Sequence, residues 1–395
     1  MSEPIPPELV TEILIRSQVD TLLRCRSVSK QWRSIIDDPD FISQHMNHST
    51  KTNTNKSLFF KGVTNGDLFH LDLDSLHRSG SIQFRDQPKE LCNTYELVVG
   101  SCNGLLCSTS LRTGVFSIQN PSTRKHYSFP SFLPSNCISK EGHGFGYDSV
   151  TGDYKVAAIV IVELLGIIQA QIFIGNVRTK ACTVTQLPYM VSIRRDYMGV
   201  LVNGTLHWLV DTFYDDGRSA RHVIMGLDLE TEEFQEVSHP GRNESFDIDM
   251  YIGVLGTWLC VFVDHSKAGI DVWVMKEYRV QESWTKLFMI PFDVLSSNSC
   301  QIASLGFSKT GSEILLEVDC SRLVWYEIEG KKAVDITVQG LKNTPFMTVL
   351  CLRSLVPLDA SVVGFDVDKL KQSQNSKQQK KKKDDFLSMG FKLKL

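Results

Sequence analysis

Several short stretches of the 395-residue chain carry residue types that catalysis or ligand binding uses. Asp264-His265-Ser266 holds the members of a charge-relay triad. Side chains adjacent in sequence cannot line up nucleophile, base and orienting carboxylate, so the trio reads as a polar turn. Gly142, Gly144 and Gly146 in EGHGFGYD suggest a phosphate-cradling loop. They lack the dinucleotide-type third glycine and no helical pattern follows, so a strand entry is expected. Asp247-Ile248-Asp249 offers two carboxylates to a cation without the rest of an EF-hand loop. Cys102 and Cys107 are the closest cysteine pair, and no second Cys/His pair follows at zinc spacing. No Tyr/His set has the spacing of a copper site. His207 and Trp208 are neighbours on one strand pattern and point to opposite faces, so they cannot form one local site. The expectation is a chain with no catalytic residue of its own, no cofactor and no metal, its six tryptophans mostly in strands and core.

Bulk properties narrow the partners. With 42% hydrophobic and 22% charged residues the composition is that of a soluble globular protein. The net charge of −3 is uneven: residues 366–395 hold nine Lys against four Asp, hence +5, which leaves −8 on the preceding 365. An acidic body with few aromatics among the tail lysines argues against nucleic acid. The longest apolar run, Val156 to Ile168, contains Glu163 and is too short to cross a bilayer. The start, MSEPIPPE, is polar and acidic rather than signal-like, and the ten cysteines are scattered singly. Reduced thiols and a cytoplasmic and/or nuclear location are expected, which leaves the sequons at Asn47, Asn203 and Asn243 without meaning. The tail is expected to be disordered, with Lys380 to Lys383 as a solvated run or a nuclear import signal.

If no residue set does chemistry, the elements themselves must carry the function. Leu9, Val10, Ile13 and Leu14 repeat at helical spacing behind Pro6 and Pro7. Leu22 and Leu23 follow in a second short segment, and Val28, Trp32, Ile35 and Ile36 stripe a third that Pro39 follows. Three helix-length segments this short cannot build a core, so the cassette must dock on something else. After a polar linker the texture turns to short β-rich runs between Gly, Asn and Asp turns. Turn glycines recur at Gly66, Gly104, Gly152, Gly204, Gly256 and Gly311, at intervals of 38, 48, 52, 52 and 55 residues. Each opens an apolar strand, and two more strands, a polar turn and often a proline follow. Four strands in about fifty residues, repeated around six times, is the pattern of a β-propeller of kelch-like period. The competing architecture is a multi-strand sandwich. Strands near Leu58 and at Met347 to Leu355 add or complete a blade.

Two resemblances sit on these residues. Pro6-x-Glu8-Leu9-Val10-x-Glu12-Ile13-Leu14, Leu22-Leu23-Arg24-Cys25-Arg26-x-Val28-Ser29-Lys30-x-Trp32 and Ile36-x-x-Pro39-x-Phe41 together resemble the F-box. In that family the module binds a Skp-type adaptor, which hangs the protein on a cullin-based ubiquitin ligase. Two positions depart from the family pattern: Ile5-Pro6 stands where Leu-Pro is usual, and Ser17-Gln18 where a second Leu-Pro is common. The second departure sets polar atoms where an apolar adaptor contact is expected. From about Gly100 to Leu341 the chain is similar to the F-box-associated domain of the large plant F-box group. That similarity rests on Gly100-Ser101-Cys102-Asn103-Gly104-Leu105-Leu106-Cys107, Asn120-Pro121-Ser122-Thr123-Arg124, Gly144-Phe145-Gly146-Tyr147-Asp148, Gly152-Asp153-Tyr154-Lys155-Val156, and Asn203-Gly204 with Leu206-His207-Trp208.

The combined expectation is a small all-α F-box of three short helices (1–46), a linker (47–56), an all-β propeller of about six to eight four-stranded blades (57–358), and a Lys-rich tail (366–395). The resemblance implies a non-catalytic substrate-recognition subunit of a Skp–cullin–F-box ubiquitin ligase, with an adaptor, a cullin and an unnamed target protein as partners. Pro6, Leu9, Ile13, Leu14, Leu22, Leu23, Val28, Trp32 and Ile36 are the expected adaptor face. Target binding is expected from the longer loops, Leu133 to Glu141, Asp211 to Arg221 and His239 to Asp249, with Asp215, Arg218, Arg221, Arg242 and Asp247 as contacts. Two other readings remain open: an F-box protein that acts with the adaptor outside a ligase, and a ligand-binding propeller with an incidental helical cap.

Overall fold

Capping residues divide the N-terminal cassette into four helices rather than the expected three. The computed structural model describes residues 6–62, 68–73, 76, 82–83, 96–110, 112–193, 198–213, 219–240, 249–265, 268–295, 301–339 and 345–358. α1 (Pro7–Ile15) begins on a proline and α2 (Val19–Cys25) follows Gln18. α3 (Lys30–Ile36) is capped by Ser29, whose hydroxyl accepts from the Trp32 N–H at 3.1 Å. α4 (Pro39–Thr52) is capped by Asp38, which accepts from the Asp40 and Phe41 N–H groups, and it ends at Asn53 in the left-handed region, φ 53°. The expected linker from residue 47 is therefore mostly the second half of α4. Ser49 is fully buried there and His45 nearly so, and His45 Nε2 donates to the Ser17 carbonyl at 2.9 Å. Of the polar residues that resemble a linker, Ser49 and Asn55 are buried and hydrogen-bonded to each other.

From Lys56 onward the described residues are strands joined by turns, apart from short 3-10 turns and one short helix. β1 (Lys56–Gly62) and β2 (Leu68–Asp72) begin one sheet, and β3 (Ile82–Gln83) lies apart from it. β4 (Glu96–Cys102), β5 (Leu105–Ser110), β6 (Phe116–Asn120) and β7 (Lys125–Phe129) form the second sheet. β8 (Cys137–Asp148), β9 (Asp153–Leu164), β10 (Ile167–Asn176) and β11 (Cys182–Gln186) form the third. In the fourth, β12 (Met190–Ile193) and β13 (Val200–Val202) both pair with β14 (Thr205–Phe213), which β15 (Ser219–Asp228) and β16 (Phe234–Val237) extend. β17 (Met250–Leu255), β18 (Trp258–Asp264), β19 (Ile270–Met275) and β20 (Trp284–Ile290) make the fifth, closed by the short helix α5 (Phe292–Leu295). β21 (Ile302–Phe307), β22 (Glu313–Val318), β23 (Arg322–Glu327) and β24 (Lys332–Ile336) make the sixth. β25 (Val338–Gln339) pairs in parallel with β3, and β26 (Phe346–Leu352) returns to β1.

The described residues thus form six blades. Their leading strands β4, β8, β13, β17 and β21 pack in succession, and β26 sits between β21 and β4. Both strands left open between adding and completing a blade belong to this first blade. β1 and β26 pair from Lys56↔Leu352 to Gly62↔Phe346. Joining the first and last propeller strands in one sheet closes the ring, because β26 packs against both the sixth blade and the second.

The repeating glycines occupy the turn between the first two strands of a blade: Gly104, Gly152, Gly204, Gly256 and Gly311 all have φ between 66° and 80°. At Asn103-Gly104 and Asn203-Gly204 both residues have positive φ, the two-residue turn that suits the twist of a hairpin. Gly66 lies outside the described residues.

The EGHGFGYD motif is explained by packing between blades. Gly142, Gly144 and Gly146 are alternate residues of β8, so they share one face of the sheet. A Cβ on Gly142 would lie 2.3 Å from Ile193, on Gly144 2.8 Å from Leu206 and Trp208, and on Gly146 2.4 Å from Leu229. The third blade is bare there so that the fourth can lie against it, which removes the phosphate-loop alternative.

Candidate functional site

The cassette divides its apolar residues between two directions. Leu14, Ile15, Val19, Leu22, Ile36, Phe41 and Ile42 are buried in one cluster with Val99, Leu105, Phe145, Leu355 and Val356 of the propeller and the segment after β26. Part of what the cassette must dock on is therefore the propeller of the same chain. Leu14, Leu22 and Ile36 are at most 2% exposed, so these three of the expected adaptor residues are core. Leu9 (55% exposed), Ile13 (60%) and Val28 (65%) remain in water. Pro6 is exposed with them, and Leu23 and Trp32 are half-buried against the cluster. Leu9 and Ile13 are one turn apart on α1, hence on one face.

Polar contacts fix the cassette to the propeller from three sides. Asn55 Oδ1 accepts from the Val19 N–H at 3.2 Å, its Nδ2 donates to Ser49 Oγ at 2.9 Å, and its carbonyl accepts from the Arg353 N–H at 2.6 Å. Arg353 also holds Asp20 through both guanidinium nitrogens. The Asn53 side chain donates to the Phe307 carbonyl at 3.1 Å, so the residue that ends α4 also ties it to the sixth blade. The sequence reading missed Asn55 and Arg353, whose partners lie 36 and 333 residues away. Ser17 and Gln18 disturb none of this. The Ser17 hydroxyl donates to the Ile13 carbonyl at 2.9 Å, and Gln18 is exposed.

Comparison with known families divides the chain at the same place. Residues 4–44 match the F-box domain, and residues 41–360 match the F-box associated beta propeller domain, more than half of the chain. The chain belongs to the F-box proteins with a propeller. It is 32% identical to "F-box protein CPR1" of Arabidopsis thaliana over 98% of this chain and 99% of that one. It is 31% identical to "F-box protein At4g22390" of the same plant over 99% of both chains. "F-box/kelch-repeat protein At3g23880" is 28% identical over 73% of this chain and 79% of that one.

In this F-box protein the candidate chemical residues serve the propeller. Asp148 and Lys155 are buried and form an ion pair at 3.0 Å; Lys155 also meets Glu232 of the fourth blade at 2.7 Å and donates to the Leu229 carbonyl. Burial would lower the Lys155 pKa, but the Glu232 and Asp148 carboxylates outweigh it and hold the amine above its usual value. His207 and Trp208 do face opposite ways. Trp208 donates its indole N–H to the His143 carbonyl at 3.0 Å across to the third blade, while His207 Nε2 meets the Tyr278 hydroxyl of the fifth at 2.8 Å. The Leu-His-Trp motif therefore joins three blades. Burial pushes the Cys102 thiol up to about 12, which keeps it protonated and unsuited to metal or nucleophile work. His265 pairs with Asp271 at 3.0 Å, across the hairpin, and Ser266 lies outside the described residues. Among the described residues no three His, Cys, Asp or Glu side chains gather to hold a metal ion, and no helix is long and apolar enough to cross a membrane.

Of the expected target contacts, Asp215, Arg218, Arg242 and Asp247 lie outside the described residues. Arg221 is described: it pairs with Glu236 at 2.7 Å, and Tyr189 donates to the same carboxylate oxygen. The loop expected from Leu133 to Glu141 is corrected in its second half, which is the start of β8. Phe132, Leu133 and Cys137 pack on Val160, Val162 and Phe173.

Proposed function

We propose that this F-box protein is the substrate-recognition subunit of a Skp–cullin–F-box ubiquitin ligase, holding a target protein on the propeller for ubiquitination and proteasomal degradation. One observation carries the reading: Leu9, Ile13 and Val28 stay exposed on a cassette whose other face is committed to the propeller. A soluble chain gains nothing from three such side chains in water, whereas burying each against an adaptor is worth roughly 1–2 kcal/mol. In this reading catalysis belongs to the conjugating enzyme. Its part is to fix geometry: the Asn55, Asn53 and Arg353 contacts hold adaptor face and propeller in one orientation, which raises the effective concentration of target lysines near the ubiquitin carrier. Residence in the cytoplasm or nucleus belongs to the same proposal.

Co-purification of the full chain from plant cells tests it. Adaptor and cullin should come down together, and Leu9→Asp/Ile13→Asp should lose both with an unchanged Tm, since both side chains already face water. Retention of the adaptor without cullin would favour a role outside a ligase. Full cellular activity of the double variant would favour a ligand-binding propeller with an incidental cap.

A further inference from the structure

The hairpin between β9 and β10 ends in a two-residue turn, Leu165-Gly166, between the paired residues Leu164 and Ile167. Both turn residues have positive φ, 52° and 81°. Among the described residues the same turn occurs as Asn103-Gly104 and Asn203-Gly204, with asparagine in the position that Leu165 fills. Asparagine tolerates the left-handed region and leucine does not. Leu165 is also 96% exposed. Folding therefore gives no reason for leucine here, on backbone or on burial grounds, and strain of this kind is a pointer to function.

The surroundings extend the signal. Leu164, Ile167 and Ile168 are each more than half exposed, and so is Ile138 of β8. Pairing with β8 stops at Val162 and pairing with β11 stops at Gln171, so the tip stands beyond both neighbouring strands. Asn136 braces it, donating to the Glu163 carbonyl at 2.7 Å. The turn lies at the far end of β9 from Asp153, whose end of the blade contributes Phe145 and Val156 to the cluster shared with the F-box helices. Twelve residues of strand put the tip roughly 35 Å from that end.

Resting on the receptor reading above, we infer that this aliphatic tip is the propeller's target-binding element, and that it inserts into an apolar pocket on a folded target protein. A convex turn of four aliphatic residues and a glycine, Leu164 to Ile168, needs a concave partner, and it carries no cation of its own for an acidic or phosphorylated motif. Residues 156–168 contain no Lys, Arg, Trp or Tyr, the anchors a membrane-surface element uses, and carry one carboxylate, Glu163. A symmetric contact between two such tips would bury far less than the about 800 Å² per partner of a stable dimer. A pocket in a larger protein surface can add its own rim to the contact.

The test compares three full-length proteins in cells with the proteasome blocked: wild type, Leu9→Asp/Ile13→Asp and Leu165→Asn. Leu165→Asn restores the turn's preferred residue, so its Tm should equal or exceed wild type; Ile168→Thr serves as a second variant if it does not. Proteins whose ubiquitination falls in the Leu9/Ile13 variant should fall likewise in the tip variants. One such protein, purified, should bind the tip variants about ten- to hundred-fold more weakly, the range expected for losing one well-buried leucine. Targets that depend on Leu9/Ile13 yet ignore the tip variants would overturn the inference and leave the receptor reading standing. Absence of any Leu9/Ile13-dependent target would overturn both. Leu165-dependent binding of purified wild type to phosphatidylcholine vesicles, or Leu165-dependent self-association in sedimentation, would overturn it in favour of a membrane or a second copy.

Discussion

Arg353, the residue after the closing strand β26, holds Asp20 of α2 through both guanidinium nitrogens, with Nη1 2.8 Å from Oδ2. The F-box is thus clamped by the far end of the chain, next to the strand that closes the propeller ring. Closing the ring and docking the helices are one event in space, because β26 pairs with β1 and its next residue reaches α2.

The clamp's two parts should differ in strength. Asp20 is more than half exposed, so Asp20→Asn should cost under about 1 kcal/mol. Asn55 is buried, and Asn55→Ala strands the Val19 N–H and the Ser49 hydroxyl, a cost of roughly 2–4 kcal/mol. Hydrogen exchange of the α1 and α2 amides should accelerate in Asn55→Ala well before the propeller amides change.

The Asp20 clamp also sets a pH dependence. The hydrogen bond from Arg353 holds the Asp20 carboxyl below its ordinary value of 3.8. A depressed carboxylate stabilises the fold above the unfolded pKa and loses that contribution as pH falls below 3.8, through the lower folded value. Acid titration of helix-amide protection should show this loss in wild type and not in Asp20→Asn.

Two buried histidines should make the propeller sensitive at milder acidity. Burial lowers both His143 and His207 from 6.5 to about 4. Between those values the unfolded chain binds protons that the folded chain refuses, so stability is complete above pH 6.5 and falls steadily towards pH 4. At most about 3 kcal/mol is at stake for each ring. His143 has no hydrogen-bond partner on either nitrogen, so His143→Phe should flatten the pH dependence of denaturant midpoints without leaving a broken bond. His207→Phe should flatten it too, while freeing the Tyr278 hydroxyl.

The contact between the third and fourth blades predicts coupled substitutions. Gly144→Ala should cost about 1–3 kcal/mol, because its Cβ would sit 2.8 Å from Leu206 and Trp208 in a filled core. Trp208→Phe opens space at the same point while the His143 carbonyl keeps its bond from the Gly199 N–H. The two changes together should destabilise less than their sum in denaturant unfolding of the full chain.

Local chemistry was what the sequence exposed. The turn glycines show because an Asn-Gly pair such as Asn203-Gly204 encodes its own backbone, and the opposite faces of His207 and Trp208 follow from the period of a strand alone. The split of the F-box stripe was hidden for the converse reason. Ile13 and Leu14 are adjacent on α1 and chemically alike, and what separates them is the cluster with Leu355 and Val356, which enter only when the chain returns after β26. The same distance hid the pairing of β1 with β26. Leu165 was readable as a residue but not as an anomaly, since its left-handed φ emerges only with the register Leu164↔Ile167.

The buried ion pair offers a sharper test of how the third and fourth blades are held. Lys155→Met removes the amine from Asp148 and Glu232 and should cost about 3–5 kcal/mol, because a buried carboxylate is left uncompensated. Asp148 has further roles: its Oδ1 accepts from the Val150 and Thr151 N–H groups, at 2.8 and 3.3 Å. An amide oxygen can keep both bonds, so Asp148→Asn on the Lys155→Met background removes the charge and preserves the turn. The double variant should recover a good part of the lost stability in denaturant unfolding. If it is instead as unstable as Lys155→Met, the cost lies in the lost bonds to Glu232 and the Leu229 carbonyl, and the link between blades rather than the stranded charge is what Lys155 supplies.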